Sequence, residues 1–260
     1  MSQNNASLAG KVAVVSGSSQ GIGAATVREL SKRGATVVIN YPFPSEKGNA
    51  ESVKESLGAG AQALTVEADI STLQGPQKLV DEAAAAFGKI DILVNNAAFI
   101  PHIAFDEPGD NFDQIWDTVI NLNLRGTYLL TRAVLKYLAP QNSRIINIVS
   151  SAVRSPTPGQ GLYVASKGFV EGLTKVLAVE LPRKYGCTVN AIAPGPVGTQ
   201  AFLNADMVLA GALEPLIQMT PVAARVAKPE EIANVVGALC EEGLSWVDGV
   251  TINVTGGAAV

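Results

Sequence analysis

Short β-prone runs alternate with longer helical patterns along almost the whole chain, and this rhythm limits the possible folds more than any other feature. The β-prone runs are predicted at 12–15, 35–40, 62–67, 90–95, 144–150, 187–192 and 249–254. Helical patterns fall between them, as in AATVRELSKRG after the first run and GPQKLVDEAAAAFG after the third. Gly34, Gly88 and Gly186 stand where helices should end. Strands separated by helices need crossover connections. The expected fold is therefore α/β, a doubly wound sheet of about seven parallel strands with helices on both faces. Several runs are apolar nearly throughout, as strands buried on both faces should be.

No internal repeat or low-complexity linker divides the 260 residues, so 1–260 is read as a single domain. The rhythm breaks once, at about 194–228. This segment opens with Pro194, Gly195 and Pro196 and carries Phe202, Met207, Leu209, Leu213 and Leu216. An apolar excursion of that length is either a substrate lid or a subunit contact, or both.

Composition removes several classes of function. With 47% apolar and 16% charged residues the chain is globular, and its net charge of −4 argues against nucleic acid or an anionic membrane as partner. His102 is the only histidine, and Cys187 and Cys240 are the only cysteines. No metal site or Ser-His-Asp triad is expected, and the thiols read as reduced and buried. The N-terminal MSQNNAS lacks a charged-then-apolar leader, and the uncharged stretch near 185–205 is broken by prolines and glycines. The expectation is a soluble, cytoplasmic protein.

The first β-prone run leads into SGSSQGIG, with Gly17, Gly21 and Gly23 spaced G-x-x-x-G-x-G. Ligands of open α/β sheets bind at the carboxyl ends of strands, and a helix that starts there offers free N–H groups and the positive end of its dipole. Alone, the pattern is either a phosphate grip or an ordinary strand-to-helix turn. The second run ends at Asn40 and Tyr41, with no carboxylate to take an adenosine ribose. Ser18, Asn40 and Ser45 could donate hydrogen bonds to a 2′-phosphate, and Lys47 is a candidate for the balancing charge, although Gln20 stands where a basic residue would be decisive. NADP(H) is favoured over NAD(H) on this reading.

The segment 162–181 is predicted to be a long helix carrying Tyr163 and Lys167 four residues apart on one face. An ammonium beside a phenol favours the phenolate, which would bring tyrosine toward neutral pH as an acid/base. The pair could equally be a solvated helix edge. Ser150, at the end of the preceding β-prone run, could hold a substrate oxygen against the tyrosine, while Ser151 reads as a loop or cap residue.

Taken together, these motifs resemble the short-chain dehydrogenase/reductase family of the single-domain, Rossmann-like type. The likeness is to its 3-oxoacyl-carrier-protein reductase and fungal keto-reductase branch, from about Lys11 to Gly257. The family's glycine turn matches Gly17, Ser18, Ser19, Gln20, Gly21, Ile22 and Gly23, and its residues beside the adenine match Asp69 and Ile70. Its N-N-A-G motif matches Asn95, Asn96 and Ala97, with Ala98 in place of the glycine. Its helix-borne asparagine matches Asn123 in preference to Asn121, and its serine, tyrosine and lysine match Ser150, Tyr163 and Lys167. Its turn beside the nicotinamide matches Pro194, Gly195, Val197 and Thr199. Thr255 and Asp248 depart from the branch near the C-terminus, where the family forms subunit contacts.

The resemblance implies hydride transfer between NADPH and a carbonyl carbon, with Tyr163 giving a proton to the oxygen. Lys167 would lower the tyrosine pKa and hold the nicotinamide ribose, Ser150 would steady the oxygen, and Asn123 would hold a relay water. It also implies a homo-oligomer, tetramer or dimer, formed through helices near 112–138 and 162–183. Candidate substrate walls are Phe99, Ile100, His102, Arg154, Gln160, Phe202 and Met207, which suit a hydrophobic ketone. His102 is either a ligand of a substrate oxygen or a surface-loop residue, and Arg154 either meets an acidic substrate group or is solvated. Two other readings are a non-catalytic NADP(H)-binding regulator and an isomerase or dehydratase of the longer relatives. The latter is disfavoured because only about 60 residues follow Thr199.

Overall fold

The computed structural model describes residues 7–107, 109–203 and 207–259, without the side chains of residues 201, 203, 207 and 208. The alternating runs form parallel strands Val12–Val15 (β1), Thr36–Tyr41 (β2), Ala63–Glu67 (β3), Ile92–Asn95 (β4), Ser143–Ile148 (β5), Cys187–Pro194 (β6) and Thr251–Val254 (β7). They lie side by side in the order β3-β2-β1-β4-β5-β6-β7. Between them run Gly21–Lys32 (α1), Lys47–Glu55 (α2), Gly75–Phe87 (α3), Phe112–Val119 (α4) and Thr127–Val134 (α5). Gly161–Glu180 (α6), Pro182–Tyr185 (α7), Gln200–Leu203 (α8), Met207–Gln218 (α9) and Pro229–Cys240 (α10) complete the helices.

Residue parity explains the two layers of helices. Ala13, Val15, Val37, Ile39, Ile92 and Val94 point to one face, where they pack with α1, α2 and α10. Their neighbours Val14, Val38, Leu93, Ile145 and Val189 point to the other, against α3, α5 and α6. Strand side chains alternate in this way by geometry, and each buried Val or Ile contributes roughly 1.5–3 kcal/mol relative to exposure. Apolar runs without polar alternation were therefore the correct signature of a sheet covered on both sides.

Every strand boundary falls within two residues of expectation, and the differences matter mostly at the site. The β5–β6 ladder ends at Ile148 opposite Ile192, so Ser150 lies beyond the strand, at the sheet's carboxyl edge. The helix expected at 112–138 is interrupted by a π turn over Ile120–Gly126. A Cβ on Gly126 would stand 2.6 Å from the Ile70 carbonyl oxygen, so this face presses directly on the loop after β3. Periodicity cannot show such a widened turn, and π turns are frequent at functional positions. The 194–228 excursion contains α8 and α9. Its two ends are clasped together by Gly198 N–H to Ala227 O (2.9 Å), Ala227 N–H to Pro196 O (2.9 Å) and a bridge between Val197 and Ala227.

Candidate active site

The strand order reverses between β1 and β4, the place where loops diverge to opposite faces and leave a crevice. A cleft of about 920 Å³ opens there, over the carboxyl ends of the strands. One end is walled by the glycine turn. Gly17 and Gly21 both have φ of +58°, which a side chain would strain. Ser16 accepts the N–H groups of Asn96 (3.0 Å) and Ala97 (3.1 Å) at Oγ, while Asn96 Nδ2 donates to the Ser16 and Gly17 carbonyls (both 2.9 Å). The turn is thus clamped from the loop after β4, and α1 begins at Gly21 on the cleft wall. Ser16 was not singled out from the sequence, although a serine directly after an apolar strand was a visible signal.

Gly23 does not line the cleft; it is required by contact. A Cβ there would stand 2.5 Å from Gly17 O and 2.6 Å from Asn96 Nδ2. Gly23→Ala is expected to cost about 1–3 kcal/mol of stability and to weaken dinucleotide binding at least about tenfold, because relief requires opening the clamp. Thermal melts and cofactor titration by fluorescence would measure both.

The expected phosphate ligands Ser18 and Asn40 are both buried. Ser18 Oγ donates to Val15 O (2.7 Å) and accepts from Asn40 N–H (2.9 Å). The Asn40 amide accepts Gly17 N–H (2.9 Å) and donates to Ala68 O (2.9 Å). Both side chains hold the turn's shape from beneath; Ser18 is off the cleft wall, whereas Asn40 lines it. Tyr41 is buried away from the wall, and Ser45 and Lys47 are exposed off it. The wall here comprises Ser19, Gln20, Asn40, Pro42, Phe43 and Glu46. Glu46 Oε2 accepts from Asn49 Nδ2 (2.9 Å) and lies 3.4 Å from Ser19 Oγ. It arrives on a 3-10 turn over Pro44–Glu46, a feature the strand-and-helix rhythm does not show. Further along, Asp69 and Ile70 line the cleft, and Asp69 Oδ1 accepts Ser71 N–H (2.9 Å). Ala97, Ala98, Pro194, Gly195, Val197 and Thr199 continue the wall. Among the described residues Asn142 is the only non-glycine with positive φ, so Ala98 sits without strain where the family has glycine.

Ser150, Tyr163 and Lys167 converge on the middle of the cleft. Helix α6 carries Tyr163 and Lys167 on its buried face, with exposures of 7% and 4%. Lys167 Nζ donates to Ile148 O (2.7 Å) and lies 5.8 Å from the centre of the Tyr163 ring. Burial pushes the Tyr163 phenol up to about 12, with the Ser150 hydrogen bond pulling the other way. Burial pulls Lys167 down to about 8. The expected lowering of the tyrosine by its lysine is therefore not what the protein alone displays. Desolvation is the largest influence on each group.

Asn123 lies off the wall and is 1% exposed. Its Oδ1 accepts Phe99 N–H (2.9 Å), and its Nδ2 donates to Phe99 O (2.9 Å) and Ser166 Oγ (3.0 Å). Ser166 in turn donates to Tyr163 O (2.6 Å). The side chain braces the β4 loop to α6, with its amide oxygen and nitrogen both bonded to protein partners. A second brace went unread in the sequence. Asn95 Nδ2 donates to Asn147 Oδ1 (2.8 Å) and Thr131 Oγ1 (2.9 Å), and Asn147 Nδ2 donates to Thr174 Oγ1 (2.8 Å). It links β4, β5, α5 and α6 at the register pair Asn95–Asn147.

Phe99, Ile100, His102, Gln160 and Phe202 line the substrate end, joined by Leu209, Leu213 and Leu216 of α9. Arg154 is off the wall and ion-paired with Glu171, so it is not positioned to meet a substrate. His102 Nε2 lies 3.0 Å from Pro158 O, and Ile103 N–H donates to Gly159 O (2.9 Å), so the histidine ties two loops together across the cleft mouth. The Met207 side chain lies outside the described residues. Thr255 Oγ1 donates to Ala259 O (2.9 Å), and Asp248 Oδ1 accepts Val189 N–H (2.7 Å).

A parallel sheet with a glycine-lined helix start at its switch point and a buried Tyr–Lys pair facing the same cleft is the frame of a dinucleotide-dependent oxidoreductase. Comparison with known proteins narrows the class. A family model described as enoyl-(acyl carrier protein) reductase matches residues 17–259. The short-chain dehydrogenase/reductase FrzI of Cladobotryum sp. is 39% identical over 255 residues, covering 96% of each chain. A short-chain dehydrogenase from Burkholderia cenocepacia, solved in complex with NADP, superposes with a TM-score of 0.85 at 31% identity, over 96% of this chain and 98% of that one. A 3-ketoacyl-(acyl-carrier-protein) reductase from Brucella melitensis, complexed with NADH, superposes at 0.84 and 31% identity, over 97% and 100%. The chain belongs to the short-chain dehydrogenase/reductase family and is an oxidoreductase of it. No helix among the described residues is long and apolar enough to cross a membrane.

Proposed function

We propose that the protein interconverts a ketone and a secondary alcohol on a hydrophobic small molecule, using NADP(H) in preference to NAD(H). The observation that carries this reading is the convergence of Ser150, Tyr163 and Lys167 on a cleft whose other end is shaped for a dinucleotide. The fit is physical: Gly17 and Gly21 occupy left-handed backbone conformations, and the first N–H groups of α1 open beside them. When bound, the cofactor supplies the hydride for reduction.

The protein's own groups do the rest. Ser150 donates a hydrogen bond to the carbonyl oxygen and holds it against Tyr163. The Tyr163 hydroxyl, kept protonated at neutral pH by its burial, gives its proton to that oxygen as the carbonyl carbon gains hydride, and solvent restores it. Lys167 is mainly charged at neutral pH and stabilises the transient phenolate. Asn123 keeps the Phe99 loop and α6 in register. Residues 194–228 act as the substrate lid of a single domain, since α9 contributes Leu209, Leu213 and Leu216 to the wall. Exposed Trp116, Tyr128, Phe169, Val176 and Val179 on α4, α5 and α6 support a homo-oligomer formed through those helices. A negative net charge and two free, buried cysteines support a reducing compartment, the cytoplasm. The reading is tested by NADPH oxidation across a ketone panel, against the Tyr163 variant described below.

The cofactor preference is supported by the lack of a carboxylate at the end of β2 and by the relative solved with NADP. Glu46 opposes it, because its carboxylate faces the wall beside Ser19 and would repel a 2′-phosphate. Glu46→Gln is expected to tighten NADPH binding about three- to tenfold and to leave NADH within about twofold. Fluorescence titrations of each nucleotide, without substrate, decide it. Equal changes for both would remove Glu46 from the account.

A further inference from the structure

We infer that the cleft excludes anionic substrates, and that its carbonyl substrate is a free, uncharged or cationic molecule rather than an acyl group carried on a phosphate-bearing arm. This deepens the reading of the same site as a ketoreductase and rests on it. The substrate end is built from three stretches of chain, after β4, after β5 and after β6. The first, from Ile90 to Leu124, contains no lysine or arginine, and neither does the third, from Gly186 to Ala224. The second carries Arg154, spent on Glu171 and absent from the wall, Lys167, held inside by Ile148 O, and Lys175, Arg183 and Lys184, which are also absent from the wall.

The first stretch is also strongly acidic. His102 and Thr118 line the cleft, and between them lie Asp106, Glu107, Asp110, Asp113 and Asp117, all exposed. Phosphate and carboxylate recognition normally calls on arginine or lysine forks, because an anion leaving water needs paired donors. Here an anion would approach a segment that bears five exposed carboxylates and meet apolar Phe99, Ile100, Leu209 and Leu213 on the wall. A coenzyme A or phosphopantetheine thioester carries phosphate at the end that must stay at this mouth. A neutral ketone meets no such barrier, and a cationic one is drawn in.

The test uses the full-length protein at saturating NADPH and low ionic strength. A panel of cyclic and aryl ketones is offered as matched neutral, carboxylate and ammonium members, together with acetoacetyl-coenzyme A and the neutral acetoacetyl N-acetylcysteamine thioester. Neutral and ammonium members are expected to exceed their carboxylate partners at least tenfold in kcat/KM, and the neutral thioester to exceed the coenzyme A ester likewise. Added salt should narrow the gap. The triple variant Asp106→Asn, Glu107→Gln, Asp110→Asn is expected to raise turnover of the carboxylate and coenzyme A members about fivefold and to lower that of the ammonium members, with neutral ketones unchanged. Equal or better use of carboxylate and coenzyme A members, or an unchanged ratio in the triple variant, overturns the inference. Reduction of no panel member despite measured NADPH binding overturns instead the ketoreductase reading beneath it.

Discussion

Tyr163→Phe is expected to reduce carbonyl turnover by at least about a thousandfold while leaving NADPH affinity within about twofold. General acid catalysis contributes roughly 10²–10⁴-fold, and here the phenol is the one group on the cleft wall placed beside Ser150 to deliver a proton. The substitution removes a single oxygen from a side chain that is 7% exposed, and the ring keeps its packing. The fold should therefore persist, and the loss should fall on kcat/KM without a matching loss of thermal stability. Initial rates with the best panel ketone, a melting curve and a nucleotide titration separate these effects. A variant that kept more than a tenth of the wild-type rate would remove Tyr163 from the chemistry and leave the cleft as a nucleotide site alone.

The second large effect is on pH dependence. The proposed reduction requires Tyr163 protonated and Lys167 charged, and burial places these groups at about 12 and about 8. Both conditions hold at neutral pH. As pH rises, the lysine is the first to change, so kcat/KM should be level through neutrality and fall about tenfold per unit above pH 8. Lys167→Met should lower the rate about a hundredfold or more, and the rate that survives should lack the limb near pH 8. A limb that persists unchanged in this variant would mean that another group sets it.

What could be read from the chain divides along physical lines. Strands buried on both faces announce themselves as apolar runs, and Tyr163 and Lys167 were legible because their spacing on α6 is local. Gly17, Gly21 and Gly23 were legible as a group but not in their separate duties, two set by φ and one by contact. Ser18 and Asn40 show the opposite case. Their donors were visible, but sequence does not say whom a donor serves, and both serve the backbone under the turn. Glu46 was missed because a short 3-10 turn carries it back over the cleft. The Asn123 and Asn147 braces were closed to sequence reasoning because their partners lie between 24 and 52 residues away along the chain.

The clasp between Val197 and Ala227 has a consequence for how this scaffold changes over time. Because both ends of the excursion are pinned to each other by the fold itself, closing the loop costs little more when it grows or shrinks, since closure entropy rises only with the logarithm of length. Insertions and deletions in the exposed turns of this stretch therefore cost little closure entropy. The same events in the strands or under the glycine turn would disturb a packed sheet. Selectivity for a carbonyl compound can thus diversify as a replaceable cassette while the hydride-transfer apparatus stays as it is.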